Sequence, residues 1–154
     1  MPIDVGAPAP DFALKDQHGQ TVSLSDYRDK ANVLLVFYPW SFSRICTNEM
    51  AEIRDALPSL QGADSAVLAV SCDAMFTQRV YAEQEGLEYP VLSDFWPHGA
   101  VASAYGVFDD DLGAAVRGSF VVDKDGIVRW RVVNGVGEAR SLADYQAVLR
   151  GLCE

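Results

Sequence analysis

Two hydrophobic periods alternate along this chain. Asn32-Val-Leu-Leu-Val-Phe-Tyr38 is, after its first residue, a continuous apolar run bounded by Pro39, which predicts a central strand covered on both faces. Between Ser43 and Leu57 the period changes. Cys46, Met50, Ile53 and Leu57 fall on one stripe at helical spacing, and Pro58 marks the helix end. Ser65–Cys72 reads as a second apolar strand, Ala74–Glu85 as a helix with Phe76 and Val80 turned inward, and Pro90–Leu92 as a short third strand. Strands that alternate with helices in this way require a parallel sheet.

The flanks read differently. Phe12–Leu14 and Thr21–Leu24, around a turn at Gln17-His-Gly19, predict an N-terminal β-hairpin. A short helix follows at Ala100–Tyr105. Gly118–Asp123 and Ile127–Val133, joined by Lys124-Asp-Gly126, predict an antiparallel pair, and Ser141–Leu152 a closing helix. No linker, repeat or low-complexity stretch divides the chain, so residues 1–154 read as one domain. The expected class is α/β with a thioredoxin-like plan, a mixed central sheet flanked by helices with an extra N-terminal β-hairpin.

Composition narrows the function. Of 154 residues, 49% are hydrophobic and 22% charged, sufficient for one core without disulfide staples. Twelve Lys and Arg against 22 Asp and Glu give a net charge of −10, and so acidic a surface repels phosphate backbones and anionic headgroups. Neither nucleic acid nor membrane is an expected partner. The opening MPIDVGAP has no basic segment followed by an apolar one, and the longest apolar run, Val33–Trp40, is far too short for a span. A cytoplasmic location is therefore expected. The three cysteines, Cys46, Cys72 and Cys153, are widely spaced without a CxxC, which argues against a disulfide framework or a zinc ribbon. His18 and His98 have no paired spacing, so no metal is expected.

Chemistry concentrates at Cys46. It lies a few residues beyond the end of the buried strand and in or near the first turn of the following helix, where free N–H groups and the positive dipole end favour an anion. A thiolate is such an anion. The ordinary thiol ionises near 8.5, and a helix N-terminus beside a cation can bring such a group below about 7. Arg117 is the candidate cation. Each residue also has a plainer reading: Cys46 as a small core residue on the Met50 stripe, Ser43 as a helix cap accepting the Cys46 N–H, and Arg117 as a surface arginine at the start of a strand.

The joint spacing Pro39-Trp-Ser-Phe-Ser43-Arg-Ile-Cys46, with Glu49 one turn on, resembles the peroxiredoxin active-site motif of proline, threonine or serine, and cysteine. Gly6-Ala-Pro-Ala-Pro-Asp-Phe12 and Arg117-Gly-Ser-Phe-Val-Val-Asp123 resemble two further stretches of that family, and Ser93-Asp-Phe-Trp-Pro-His-Gly-Ala100 is similar to its AhpE-type one-cysteine subgroup. The resemblance implies a thiol-dependent peroxidase without cofactor. Cys46 would be the peroxidatic cysteine, Ser43 a hydroxyl donor to the peroxide, Pro39 a shield for the thiolate, Arg117 its electrostatic partner, and Glu49 the carboxylate that orients the arginine. Ser43 stands where threonine is more usual and lacks the methyl group that restricts the rotamer.

In the reaction so implied, Cys46 thiolate attacks hydrogen peroxide or an organic hydroperoxide, becomes sulfenic acid, and is reduced by a thiol. Cys72, at a strand end, reads as an inert core thiol. Cys153, on the C-terminal tail, is the alternative second thiol. The expected reductant is external, a low-molecular-weight thiol or a redoxin with a CxxC site. Trp40, Phe42, Phe95 and Trp96 are candidate apolar walls for the substrate or, alternatively, core or subunit contacts, and the resemblance implies a homodimer. A peroxide sensor that passes oxidation to a partner protein uses the same residues. A disulfide reductase lacks its CxxC, a Cys–His hydrolase needs His18 or His98 beside Cys46, and Gly135-Val-Gly137 reads as a turn, not a dinucleotide fingerprint.

Overall fold

The computed structural model describes residues 1–62 and 64–153, with the side chain of Cys153 outside the description, so the reading of Cys153 as a second thiol lies outside the described residues. The N-terminal hairpin is present as β1 (Ala13–Lys15) and β2 (Thr21–Ser23), antiparallel with Leu14 opposite Val22. A single 3-10 turn, Leu24–Tyr27, takes the place of the hairpin's last expected residue. The predicted central strand is β3 (Asn32–Phe37), and all six of its residues are buried.

Helix α1 (Arg44–Asp55) leads through Ala56 into a separate short helix, α2 (Leu57–Leu60). Pro58 therefore does not end the first helix as expected but sits in the first turn of the second, where its missing N–H leaves no intrahelical bond unmade. Strand β4 (Ser65–Ser71), helix α3 (Met75–Glu85) and strand β5 (Val91–Ser93) complete the parallel core, with β3 parallel to β4 and β4 to β5.

Helix α4 (Ala100–Ala104) precedes two strands too short to show in a periodicity, β6 (Phe108–Asp109) and β7 (Ala114–Ala115), which pair with each other. The second hairpin is β8 (Arg117–Val122) and β9 (Val128–Asn134), followed by α5 (Leu142–Cys153). The seven-stranded sheet runs β2-β1-β5-β4-β3-β8-β9. This is the mixed-sheet, thioredoxin-like fold expected, with the hairpin added at one edge.

The alternation within β3 explains its unbroken apolar sequence. Leu34, Val36 and Tyr38 face one core with Met50 and Ile53 of α1 and with Tyr145 and Leu149 of α5. Val33, Leu35 and Phe37 face a second core with Leu92, Ala102, Tyr105 and Phe120. A strand buried on both sides has no polar face to show. On α3 the expected face is reversed. Phe76 and Val80 are exposed, while Gln78, Tyr81 and Ala82 point inward. The cause is polar: the Gln78 amide donates to Ser71 Oγ at 2.9 Å and to the Leu92 carbonyl at 2.7 Å, satisfying buried acceptors that an apolar side chain would leave unpaired. Among the described residues, no helix is long and apolar enough to cross a membrane.

Candidate active site

The site begins where β3 runs out. Tyr38 still donates its N–H to Val70 at 2.9 Å, but buried Pro39 has no N–H to continue the ladder, and the chain turns away. Phe42 takes a left-handed backbone, φ 72°, and closes a tight turn over residues 40–43. Ser43 then occupies the N-cap position of α1 with extended dihedrals, and Cys46 is the third helical residue. It lies in the first turn, where N–H groups lack an intrahelical carbonyl. The expected side-chain cap is absent. Ser43 Oγ donates instead to the Trp40 carbonyl at 2.9 Å, because the Phe42 turn brings that oxygen back toward it.

Arg117 comes from the neighbouring strand. β8 pairs antiparallel with β3, with Leu34 opposite Val121 and Val36 opposite Ser119. Continuing the same register sets Arg117 beside Tyr38, at the end of β3 from which the Cys46 turn departs. Arg117 is 2% exposed, so it is not the surface arginine its position at the strand start allowed. Its Nη1 donates to Cys46 Sγ at 3.1 Å and to Glu49 Oε1 at 2.5 Å, and its Nε to the Val136 carbonyl at 2.8 Å. The Gly135–Gly137 turn thus serves as one of the arginine's anchors.

Glu49, three residues beyond Cys46, shares its helix face and is itself buried. Four hydrogen bonds converge on it. Besides Arg117, the Arg140 N–H and Nε reach Oε2 at 2.9 Å each, and Arg140 Nη2 reaches Oε1 at 2.9 Å. Arg140 Nη1 bonds the carbonyls of Phe37 and Gly118 at 2.6 and 2.9 Å and Ser119 Oγ at 3.0 Å, tying the carboxylate to the sheet. Burial acts to raise the Glu49 carboxyl, but the hydrogen bonds and charge of Arg140, joined by Arg117, outweigh it and hold it below the usual carboxylate value. Arg140 is the principal residue that sequence reading missed. It lies in the polar stretch Gly137-Glu-Ala-Arg-Ser141, where no periodicity or motif distinguishes it. The only available signal is that a buried carboxylate needs its acceptor capacity filled.

The other candidates separate into groups. Cys72 is buried, and its thiol is pushed up to about 12 by burial, with the nearby charges of Asp94 and Asp73 adding to the rise and a backbone hydrogen bond from Ala115 opposing it. Burial thus disfavours its thiolate. Trp40 and Phe42 are 38% and 48% exposed on the turn leading to Cys46, and the Phe42 ring meets the edge of Tyr81 at 5.0 Å. Tyr81 in turn donates to Thr47 Oγ1 at 3.2 Å. Trp96 is 82% exposed and its neighbour Phe95 packs on His98, which packs on Phe108. His98 bonds the carbonyls of Phe95 and Gly113, and His18 is exposed. Among the described residues, neither imidazole makes the bond to Cys46 that the hydrolase alternative needs, and no three His, Cys, Asp or Glu side chains converge as metal ligands.

A thioredoxin-like sheet with a first-turn cysteine bonded to a buried arginine defines a thiol peroxidase of the peroxiredoxin class. The chain belongs to the AhpC/TSA family, which matches residues 5–131. It is 51% identical over 138 residues to alkyl hydroperoxide reductase E of Mycobacterium tuberculosis, covering 90% of each chain. It is 33% identical over 158 residues to the chloroplastic 2-Cys peroxiredoxin BAS1 of Hordeum vulgare, 96% of this chain and 74% of that one. Its fold is similar to that of Enterococcus faecalis AhpC with a TM-score of 0.86 at 28% identity, covering 96% of this chain and 90% of the other. These likenesses correct the expected subgroup. They run across AhpC and two-cysteine peroxiredoxins and support that broader type, not the one-cysteine AhpE-type subgroup specifically. The one-cysteine reading rested on the Ser93–Ala100 stretch alone, whereas these likenesses extend over nine-tenths or more of the chain.

Proposed function

We propose that Cys46 is the peroxidatic cysteine, with Pro39, Ser43 and Arg117 completing its peroxide site and Glu49 supporting the arginine, all within one unit formed by residues 1–154. The observation that carries this reading is the 3.1 Å contact from Arg117 Nη1 to Cys46 Sγ. Two buried guanidinium groups face one buried carboxylate there, and a thiolate at Cys46 supplies the second negative charge that balances them. In the reaction the sulfur gives an electron pair to the nearer peroxide oxygen. The S–O bond forms as the O–O bond breaks; the attacked oxygen keeps its hydrogen and stays on sulfur as sulfenic acid, and the departing hydroxide or alkoxide takes a proton from solvent to become water or an alcohol.

Arg117 and the first-turn N–H groups stabilise charge developing on the leaving oxygen, each fixed donor being worth about 3 kcal/mol. Ser43 plays a different part from the donor first expected. A hydroxyl has one proton, and this one is directed at Trp40, so Ser43 receives the peroxide's own O–H on its free lone pair. Trp40 and Phe42 suit the alkyl group of an organic hydroperoxide, and exposed Trp96 suits a contact in a homodimer. The electrons that regenerate Cys46 come from a low-molecular-weight thiol or a CxxC redoxin, and a reducing cytoplasm is the compartment that keeps such thiols available.

Peroxide consumption with an added thiol tests the assignment. Cys46→Ser should abolish it, and Arg117→Ala should lower the rate by about a hundredfold or more while changing Cys46 alkylation far less. Retained turnover by Cys46→Ser would overturn the reading. Mass analysis after one equivalent of peroxide then separates a sulfenic acid or thiol adduct on Cys46, which supports an external reductant, from a Cys46–Cys153 crosslink, which refutes direct reduction from outside.

A further inference from the structure

The turn that presents Ser43 and Cys46 is pinned by a residue outside the peroxide motif. Phe42 holds a left-handed backbone, which an L side chain adopts rarely and keeps only where its surroundings fix it. Asp73, just beyond β4, provides the fixing. Its Oδ2 accepts the Ser41 N–H at 2.8 Å and the Ser71 hydroxyl at 2.7 Å. Ser71 Oγ also accepts Gln78 Nε2 at 2.9 Å, so its single proton is committed to Asp73. The Asp73 carbonyl accepts Ser93 Oγ at 2.6 Å, anchoring the residue to β5 as well.

The consequence runs through one peptide plane. The Ser41 N–H and the Trp40 carbonyl belong to the same trans peptide and point in opposite directions. Holding that N–H therefore sets the direction of the carbonyl, and this carbonyl receives the Ser43 hydroxyl proton at 2.9 Å. We propose that Asp73 is a positioning residue for peroxide reduction: through the Trp40–Ser41 peptide it aims the free lone pair of Ser43 at the incoming peroxide. The proposal rests on Cys46 and Ser43 forming the peroxide site, and it adds a residue to that site which makes no contact with the sulfur or the oxidant.

Single-turnover oxidation of Cys46 by hydrogen peroxide, set beside its alkylation by iodoacetamide, tests this. Asp73→Ala should slow oxidation about tenfold or more and leave alkylation within about twofold, because orientation toward peroxide is lost while the thiol and Arg117 stay in place. Asp73→Asn keeps a carbonyl oxygen for the Ser41 N–H and should restore oxidation to within about threefold of the unaltered protein. In a Ser43→Ala background, Asp73→Ala should cost little more, since its effect passes through the missing hydroxyl. If Asp73→Ala does not fold, Asp73→Ser, whose hydroxyl is too short to reach Ser41, gives the same comparison. Oxidation at the unaltered rate, a parallel fall in oxidation and alkylation, or an undiminished loss in the Ser43→Ala background overturns the proposal. Peroxide turnover retained by Cys46→Ser instead overturns the site assignment on which it rests.

Discussion

Glu49 uses its full acceptor capacity, four hydrogen bonds, on two arginines, and this makes it sensitive to the smallest change available. Glu49→Gln removes one electron's charge and turns an acceptor oxygen into a donor that faces a guanidinium. Arg140→Leu is the complementary case, since it leaves the carbonyls of Phe37 and Gly118 and one side of the carboxylate unpaired. Each variant breaks a buried pair by removing one partner, which costs about 3–5 kcal/mol, and each frees Arg117 from the geometry that bonds it to Cys46. Urea denaturation should report a stability loss of that size, and peroxide consumption should fall by about tenfold or more. Stability unchanged in both variants would mean that the pairs contribute little. Around this network, Cys46, Ser43, Glu49 and Arg117 were picked out in the sequence by the resemblance of their stretches to the peroxiredoxin motifs, since a strand start alone left Arg117 readable as a surface arginine. Arg140 was not, because its function arises only where a loop returns to the sheet.

At the scale of elements, the legible parts are those with one dominant driving force. From Val33 to Phe37 β3 is apolar because both its faces are covered, and its position followed from the run itself. α3 misleads because its inward face is chosen by the Gln78 amide, not by Phe76 and Val80. The paired β6 and β7, two residues each, carry no period to read. The end of α3 was legible for a local reason. Gly86 closes the helix at φ 66°, and its N–H reaches back to the Glu83 carbonyl at 3.4 Å. A Cβ at Gly86 would meet only Arg54 Cδ at 3.8 Å, an ordinary contact, so packing does not oppose Gly86→Ala. The left-handed backbone does, at about 1–2 kcal/mol. Thermal unfolding should shift down accordingly with peroxide turnover unchanged, and a variant that unfolds like the unaltered protein would show that the cap relaxes at no cost.

For the whole molecule, acid brings two electrostatic systems into opposition. The surface carries the net charge of −10, and protonation of exposed carboxylates relieves its self-repulsion as the pH falls. The buried Glu49 pairs work the other way. Glu49 titrates lower in the folded chain than its ordinary 4.5, so the unfolded chain takes the proton more readily. Its contribution to stability is complete above about 4.5 and disappears as the pH falls through the lower folded value. Asp11 and Asp123 act in the same direction, because backbone N–H bonds overcome the effect of their burial and lower both carboxyls. Asp94 opposes them. Burial raises it despite the bonds from Val101 and Ala102, so acid favours its folded form. Salt separates the two systems, since exposed charges are screened beyond about 8–10 Å near physiological ionic strength while buried pairs are screened much less. In high salt, unfolding free energy should stay nearly level from neutral pH to about 5 and then fall toward pH 3. The fall should be shallower in Glu49→Gln, with Asp11 and Asp123 supplying the remainder. An equally steep fall in that variant would mean that Glu49 contributes little to the acid sensitivity.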